Sequence, residues 1–288
     1  MPAFTRRRFF SSVAGATALA QASRAQDSAI TAREVIERIQ TEVGIPWGPD
    51  TVDTFKAGDP DTPVRGIATT VMSTFDVLKK SVDQGLNLVI THEPTFYNHR
   101  DETADFADDP VYQAKLQFIE DNDLVVWRFH DYWHQVRPEP MRAALAKQTG
   151  WEQYPYDQDL RAYKLPGLTL ASLAADIKKR MGIRTLRVIG DPDSEIHTAV
   201  LAGGFNNPMS TMRRLPRVDL IVVGESREWE SVPYAQDTIT AGHNKAFIIL
   251  GHAVSEDPGM ELCAAWISRF VSEVPIKFVP AGEPFWTP

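Results

Sequence analysis

The chain has 288 residues, 43% hydrophobic and 24% charged, with a net charge of −8. That length suits one large domain or two small ones, and the composition suits a soluble globule with a sizeable core. The acidity argues against nucleic acid or an anionic membrane as partner, and Cys263, the single cysteine, excludes an internal disulfide.

The first 25 residues differ in kind. Arg6, Arg7 and Arg8 precede an apolar, small-residue run from Phe9 to Ala20, and a small-x-small site follows. This is the order of an export signal, too short and too weakly apolar to span a bilayer stably. The stretch Thr5 to Phe10 resembles a twin-arginine signal. Its removal takes four arginines and no acid, leaving a net charge of −12. The expectation is a periplasmic or secreted protein, exported by the twin-arginine route, with no membrane contact once residues 1–25 are gone.

Thr31-Ala32-Arg33-Glu34 is a capping box. Val35, Ile36, Ile39 and Val43 then share one helical face, and Gly44 ends the helix. Residues 46–63, rich in Pro, Gly and Asp, read as a long loop. Residues 66–72 read as a strand, 74–85 as a helix and 86–91 as a second strand, a β-α-β unit with parallel pairing. The acidic loop 100–110 reads as a solvated face. A helix near 111–121, a strand at 124–130 and a helix at 140–150 follow. Residues 151–168 read as a connector, and Thr169 caps a helix with Leu173, Ile177 and Met181 on one face. Strands are predicted at 186–191, 197–204, 218–225, 245–252 and 276–281, with helices near 231–242 and 259–272. This alternation predicts an α/β protein. An N-terminal α/β lobe is expected at 26–150 and a C-terminal one at 169–288, whose last elements have the option of packing back on the first.

Histidine and acid residues interrupt the strand ends. His92 and Glu93 follow "LVIT", His130 follows "VVWRF" with Asp131 and His134 beyond, and His252 follows "FIILG" with Glu256 four residues on. In open parallel sheets those ends form the ligand crevice. His252 and Glu256, like His130 and His134, are spaced i, i+4, one helical turn. His92 and Glu93 are adjacent, so they serve different ions, or one ligates while the other supports. Imidazole with carboxylate suits Zn, Mn or Fe better than Ca or Mg. Two carboxylates give a charge of −2, which taken alone slightly favours one divalent ion over two. His99, His197 and His243 read as ordinary core or surface residues.

The stretches "THEPTF", "HDYWH" and "GHAVSE" resemble the three motifs of the Nif-three-like dinuclear-metal-centre proteins, a family also labelled GTP cyclohydrolase I type 2. In that family the motifs are usually Thr/Ser-His-His-Pro, His-x-x-x-Asp and His-x-x-x-Glu. His92 matches the first histidine, and Glu93 stands where the second is expected. His130 opens the second motif, and His134 stands where its aspartate is expected. His252 and Glu256 match without change. One His-to-Glu and one Asp-to-His departure keep three imidazoles and two carboxylates, a compensated swap.

The resemblance implies two divalent transition-metal ions, Zn, Fe or Mn, ligated by His92, Glu93, His134, His252 and Glu256. It also implies two α/β lobes with mixed, largely parallel sheets, metals in the cleft between them, and a homo-hexamer. The usual long insertion between the lobes is absent. Metal-assisted hydrolysis of a small-molecule substrate is the leading expectation. In it His130 serves as acid/base, and Glu225 orients His130 or a substrate group. Arg128 and Arg227 are expected in surface ion pairs. Two alternatives remain: a mononuclear Fe(II) facial triad of His92, His252 and Glu256 for oxygen chemistry, and a metal-binding or interaction protein without catalysis.

Overall fold

A computed structural model describes residues 29–157 and 161–288; the expected export signal, residues 1–25, lies outside the described residues. The chain opens with α1 (Ala32–Val43), where Thr31 and Glu34 form the reciprocal capping box and Gly44, at φ 73°, closes the helix. Val35 and Ile39 are fully buried, so the amphipathic spacing does what it predicts. Strand β1 (Phe55–Ala57) lies inside the segment expected as a loop. Strand β2 (Ile67–Thr70), helix α2 (Phe75–Asp83) and strand β3 (Leu88–Thr91) form the expected parallel unit. Helix α3 (Pro110–Asp121) leads to β4 (Val125–Arg128), parallel to β3. With β1 antiparallel at one edge, the order is β1-β4-β3-β2-β11, where β11 (Ile276–Phe278) returns from the end of the chain to pair with β2.

Helix α4 (Pro140–Thr149) leads into the second sheet. The segment 151–168, expected as a connector, instead supplies β5 (Pro155–Asp157) and most of β6 (Ala162–Thr169). Burial alternates along β6 from Tyr163 to Thr169, but Pro166 and Gly167 interrupt the sequence pattern where the register shifts. Helix α5 (Leu170–Met181), β7 (Arg187–Ile189), β8 (Glu195–Phe205), the short α6 (Pro208–Arg214), β9 (Leu220–Glu225), α7 (Glu228–Thr240) and β10 (Ala246–Ile249) complete this half. The order is β5-β6-β8-β9-β10-β7, parallel in the middle (β8-β9-β10) and antiparallel at the edges. Two mixed sheets bear out the α/β expectation, with parallel pairing dominant in the first sheet alone.

The last helix, α8 (His252–Ile267), starts seven residues before the sequence suggested. Pro258 sits within the helix, where it forfeits one backbone bond. Gly259 has a packing reason, because a Cβ there would collide with Met141 of α4. Helix α8 packs on β2 and β11 of one sheet and on β8 and β9 of the other. Its first turn therefore meets the ends of strands from both. No helix among the described residues is long and apolar enough to cross a membrane.

Candidate metal centre

Strands β3 and β4 run in register, Thr91 opposite Arg128. The residues just beyond them, His92 and His130, are thus neighbours, with ring centroids 4.5 Å apart. The turn after β4 is pinned by buried Asp53, whose carboxylate accepts from the backbone N–H groups of His130 (2.7 Å), Asp131 (3.0 Å) and Tyr132 (2.9 Å). A short 3-10 turn (Trp133–Gln135) then brings the His134 ring within 5.0 Å of both. One ring nitrogen from each of His92, His130 and His134 lies within 4.8 Å of the others.

Which nitrogen is offered follows from the outer contacts. His92 Nδ1 donates to the Phe129 carbonyl at 3.0 Å. His130 Nδ1 donates to Asp131 Oδ1 at 3.0 Å, and His134 Nδ1 to Glu139 Oε1 at 2.9 Å. Carbonyls and carboxylates only accept. Each Nδ1 therefore carries the proton, and each Nε2 presents its lone pair. This is how metal-ligating imidazoles are generally oriented. His92 Nε2 is buried and has no hydrogen-bond partner, a costly state for a polar atom unless something binds it. Burial pushes the His92 imidazole down to about 4, the nearby acids only partly offsetting it, so at neutral pH it is unprotonated.

Two acids and a fourth imidazole adjoin this cluster. Gly251 precedes α8, so His252 and Glu256 face the same way one turn apart. His252 Nε2 lies 3.1 Å from Glu93 Oε1 and 3.1 Å from Glu256 Oε2. The same Glu93 oxygen is 4.0 Å from His130 Nε2, and the same Glu256 oxygen is 3.9 Å from His92 Nε2. The two carboxylates thus stand between His252 and the three-imidazole cluster. His92, Glu93 and Glu256 also offer ligand atoms within 4.8 Å of one another. Burial opposes charge on His252, but bonds to Glu225, Glu256 and Glu93 overcome it and push the imidazole up to about 12. Glu93 is held down at about 2 against its burial, by the His252 bond and the charges of His92, His252 and His130.

The site residues named from sequence are thus within one compact pocket, with two differences in detail. His130 joins the imidazole cluster directly. Glu225 reaches His252 Nδ1 at 3.3 Å, so His252 is its partner rather than His130. Arg128 is not on the surface. It is fully buried, donates to the carbonyls of His92 (3.0 Å) and His99 (2.5 Å), and lies 3.3 Å from Glu93. Arg227 pairs with Glu230 at 3.1 Å on the surface, as expected.

Comparison with known proteins gives the family and the fold. The sequence profile of the Duf34/NIF3 (NGG1p interacting factor 3) family matches residues 52–283, which hold every residue of the pocket. The chain belongs to that family. It is 25% identical over 214 residues to a GTP cyclohydrolase 1 type 2 homolog of Clostridium acetobutylicum, covering 70% of this chain and 76% of that one. A homolog of the same description from Clostridium perfringens is 22% identical over 211 residues, covering 70% and 77%. Among solved structures, a Bacillus cereus protein related to NIF3 has a TM-score of 0.70 at 13% identity, covering 90% of this chain and 99% of that one. A hypothetical protein of Staphylococcus aureus has a TM-score of 0.68 at 15% identity, covering 90% and 100%. These structural likenesses speak to the fold.

Sequence reading passed over three supports of the pocket. Glu139 both holds His134 and caps α4, accepting from the N–H groups of Met141 (3.2 Å) and Arg142 (2.9 Å). Its signal was an acid directly before Pro140 at a helix start. Asp53 carries no local signal, because its partners are far along the chain. Gly204, inside β8 at φ 61°, leaves room for the Glu256 carboxylate, which a Cβ would overlap. Gly204→Ala is expected to lower stability by about 1–3 kcal/mol and to weaken ion binding by displacing Glu256. Thermal melting and chelator competition on the same preparation check both effects.

Proposed function

We propose that this chain is a metal-dependent hydrolase of a small-molecule substrate, built around two divalent transition-metal ions, Zn, Fe or Mn. The observation that carries the reading is the convergence of three imidazoles whose Nδ1 atoms are all held by oxygens, with His92 Nε2 buried and unpartnered. In this reading His92, His130 and His134 hold one ion through Nε2. His252 would hold the other, with Glu93 and Glu256, which lie between His252 and the cluster, as the carboxylate ligands. The donor set of imidazole and carboxylate suits these metals.

Charge also favours cations here. Glu93, Glu256, Asp131, Glu139 and Glu225 carry five negative charges around the four imidazoles, and Arg128 returns one. The surplus of negative charge that remains favours divalent cations at this site. Ions held here would lower the pKa of a coordinated water and polarise a substrate oxygen. The protein's own part is positional. Asp131, Glu139 and the Phe129 carbonyl fix the ring orientations, and Arg128 holds Glu93. Glu225, half exposed and lining a cavity of about 510 Å³ beside Glu93 and His252, is placed to take up or return a proton. This gives His130 to the ligand set, where the sequence reading had kept it for acid/base work. The Fe(II) triad alternative would leave His130 and His134 with nothing to bind.

The names of the curated relatives favour hydrolysis of a small heterocyclic or phosphorylated molecule. GTP itself is not part of the proposal, because export through the leader in residues 1–25 would place the protein where GTP is scarce. A homo-hexamer remains part of the proposal by family resemblance. Elemental analysis of the purified protein, with hydrolysis assays on phosphoesters, nucleotides and cyclic amides, tests the reading. Two ions per chain and chelator-sensitive hydrolysis are expected. About one Fe per chain would favour the triad, and a metal-replete but inert protein would favour a binding role.

A further inference from the structure

The pocket opens on a second side. Past His134 and Glu256 runs a cavity of about 440 Å³, bordered by Arg137, Arg142 and Arg161. Its charges are unbalanced. The two acids on its wall are engaged, Glu139 by His134 and Glu256 by His252. Among the described residues, the guanidinium group of Arg142 stands in no ion pair, and Arg161 lines the same cavity. Arg214 stands close to them. Burial, and then the like charges of Arg161 and Arg142, push its guanidinium below the ordinary value. Arg161 also holds a left-handed backbone, φ 57°, at the turn into β6, a conformation uncommon outside glycine. Folding therefore gathers several guanidinium groups on one wall beside the metal pocket. Mutual repulsion of this kind is relieved by an anion.

We infer that this cavity is an anion subsite that binds a phosphate group of the substrate, with Arg142 and Arg161 as its ligands. The inference rests on the hydrolase reading, because it places the rest of the substrate over His134 and Glu256. Phosphate is favoured over carboxylate by charge and shape. Two guanidinium forks match the several oxygens and near-double charge of a phosphate monoester, whereas a carboxylate carries one charge and is filled by one fork. The volume exceeds that of a lone anion and falls within the range of small-molecule pockets. The acidic chain as a whole disfavours a nucleic-acid polymer as the source of that phosphate. The substrate class is accordingly a small phosphorylated molecule.

The test is calorimetric titration of inorganic phosphate into the full chain, chelator-stripped and metal-loaded, beside the double variant Arg142→Gln/Arg161→Gln. Elemental analysis and a thermal melt are run on every sample. The stripped wild-type chain should bind phosphate, and the double variant should bind it at least tenfold more weakly with metal content unchanged. If the double variant fails to fold, Arg161→Gln alone, an exposed side chain, should weaken binding at least threefold. The inference is overturned if stripped wild-type protein binds no phosphate, if the arginine variants bind it as wild type does, or if acetate binds as tightly as phosphate. A chain that takes up no metal yet binds phosphate through these arginines would contradict the hydrolase reading and leave the subsite standing.

Discussion

His134→Ala is expected to weaken ion binding by more than about 100-fold. Loss of an outer partner of a metal-ligating imidazole typically costs roughly 10–100-fold, and this variant removes the nitrogen itself. Glu139→Gln should fall inside that range, because the amide can still face His134 Nδ1 but no longer offers a charge to the 2.9 Å bond. His99→Ala should change affinity little, since its ring stands 6.4 Å from that of His130 and belongs to neither ligand group. Competition against a chromophoric chelator ranks all three. An unchanged affinity in His134→Ala would remove the three-imidazole cluster from consideration.

His252→Gln should destabilise the chelator-stripped protein by about 3 kcal/mol at pH 6.5. It removes the partner of two buried carboxylates, Glu93 and Glu256, whose side chains are 15% and 6% exposed. The pH dependence carries a defined sign. His252 has a folded pKa raised to about 12. Its contribution is therefore complete below its unfolded value of about 6.5 and is lost progressively as pH rises toward the folded value. His92 works the other way. With its folded pKa lowered to about 4, it costs stability as pH falls from about 6.5 towards that value. Glu93, lowered to about 2, contributes stability above its unfolded value of about 4.3 that is lost as pH falls through the folded one. These three groups together place the stability maximum of the stripped protein near pH 6.5. Thermal melts across pH 4–10 should show it, and the gap between wild type and His252→Gln should narrow as pH rises. A gap that stays constant from pH 6.5 to 10 would show that His252 is not held as a cation.

Much of the pocket was legible because its residues sit at positions with their own local signal. His92 and His130 each end an apolar run that can only be a buried strand, and parallel pairing makes the ends of such strands neighbours. His252 and Glu256 declare themselves by helical spacing. What sequence did not disclose depends on distance along the chain. The register of β3 and β4 is what puts His130 beside His92, and it was the ligand set implied by the resemblance, not the i, i+4 spacing, that set His130 apart from His134 as acid/base. Asp53 pins the turn at 130–132 from across the sheet, a bond between residues 77 to 79 positions apart with no local trace. Arg128 reads as a surface charge because strand-end arginines usually are; its burial follows from the carbonyls and acids that surround it. Strands β5 and β6 were missed because β5 is short and mostly exposed and Pro166 and Gly167 break up β6, so neither has the apolar run that marked the others. The early start of α8 was missed because Pro258 carries a breaker signal that the helix tolerates.

Anomalous diffraction from crystals of the metal-loaded protein tests the central claim most directly. One peak is expected at about 2.0–2.1 Å from the Nε2 atoms of His92, His130 and His134, and a second among His252, Glu93 and Glu256. Ions found only at other sites, with the three imidazoles free of metal, would contradict the account.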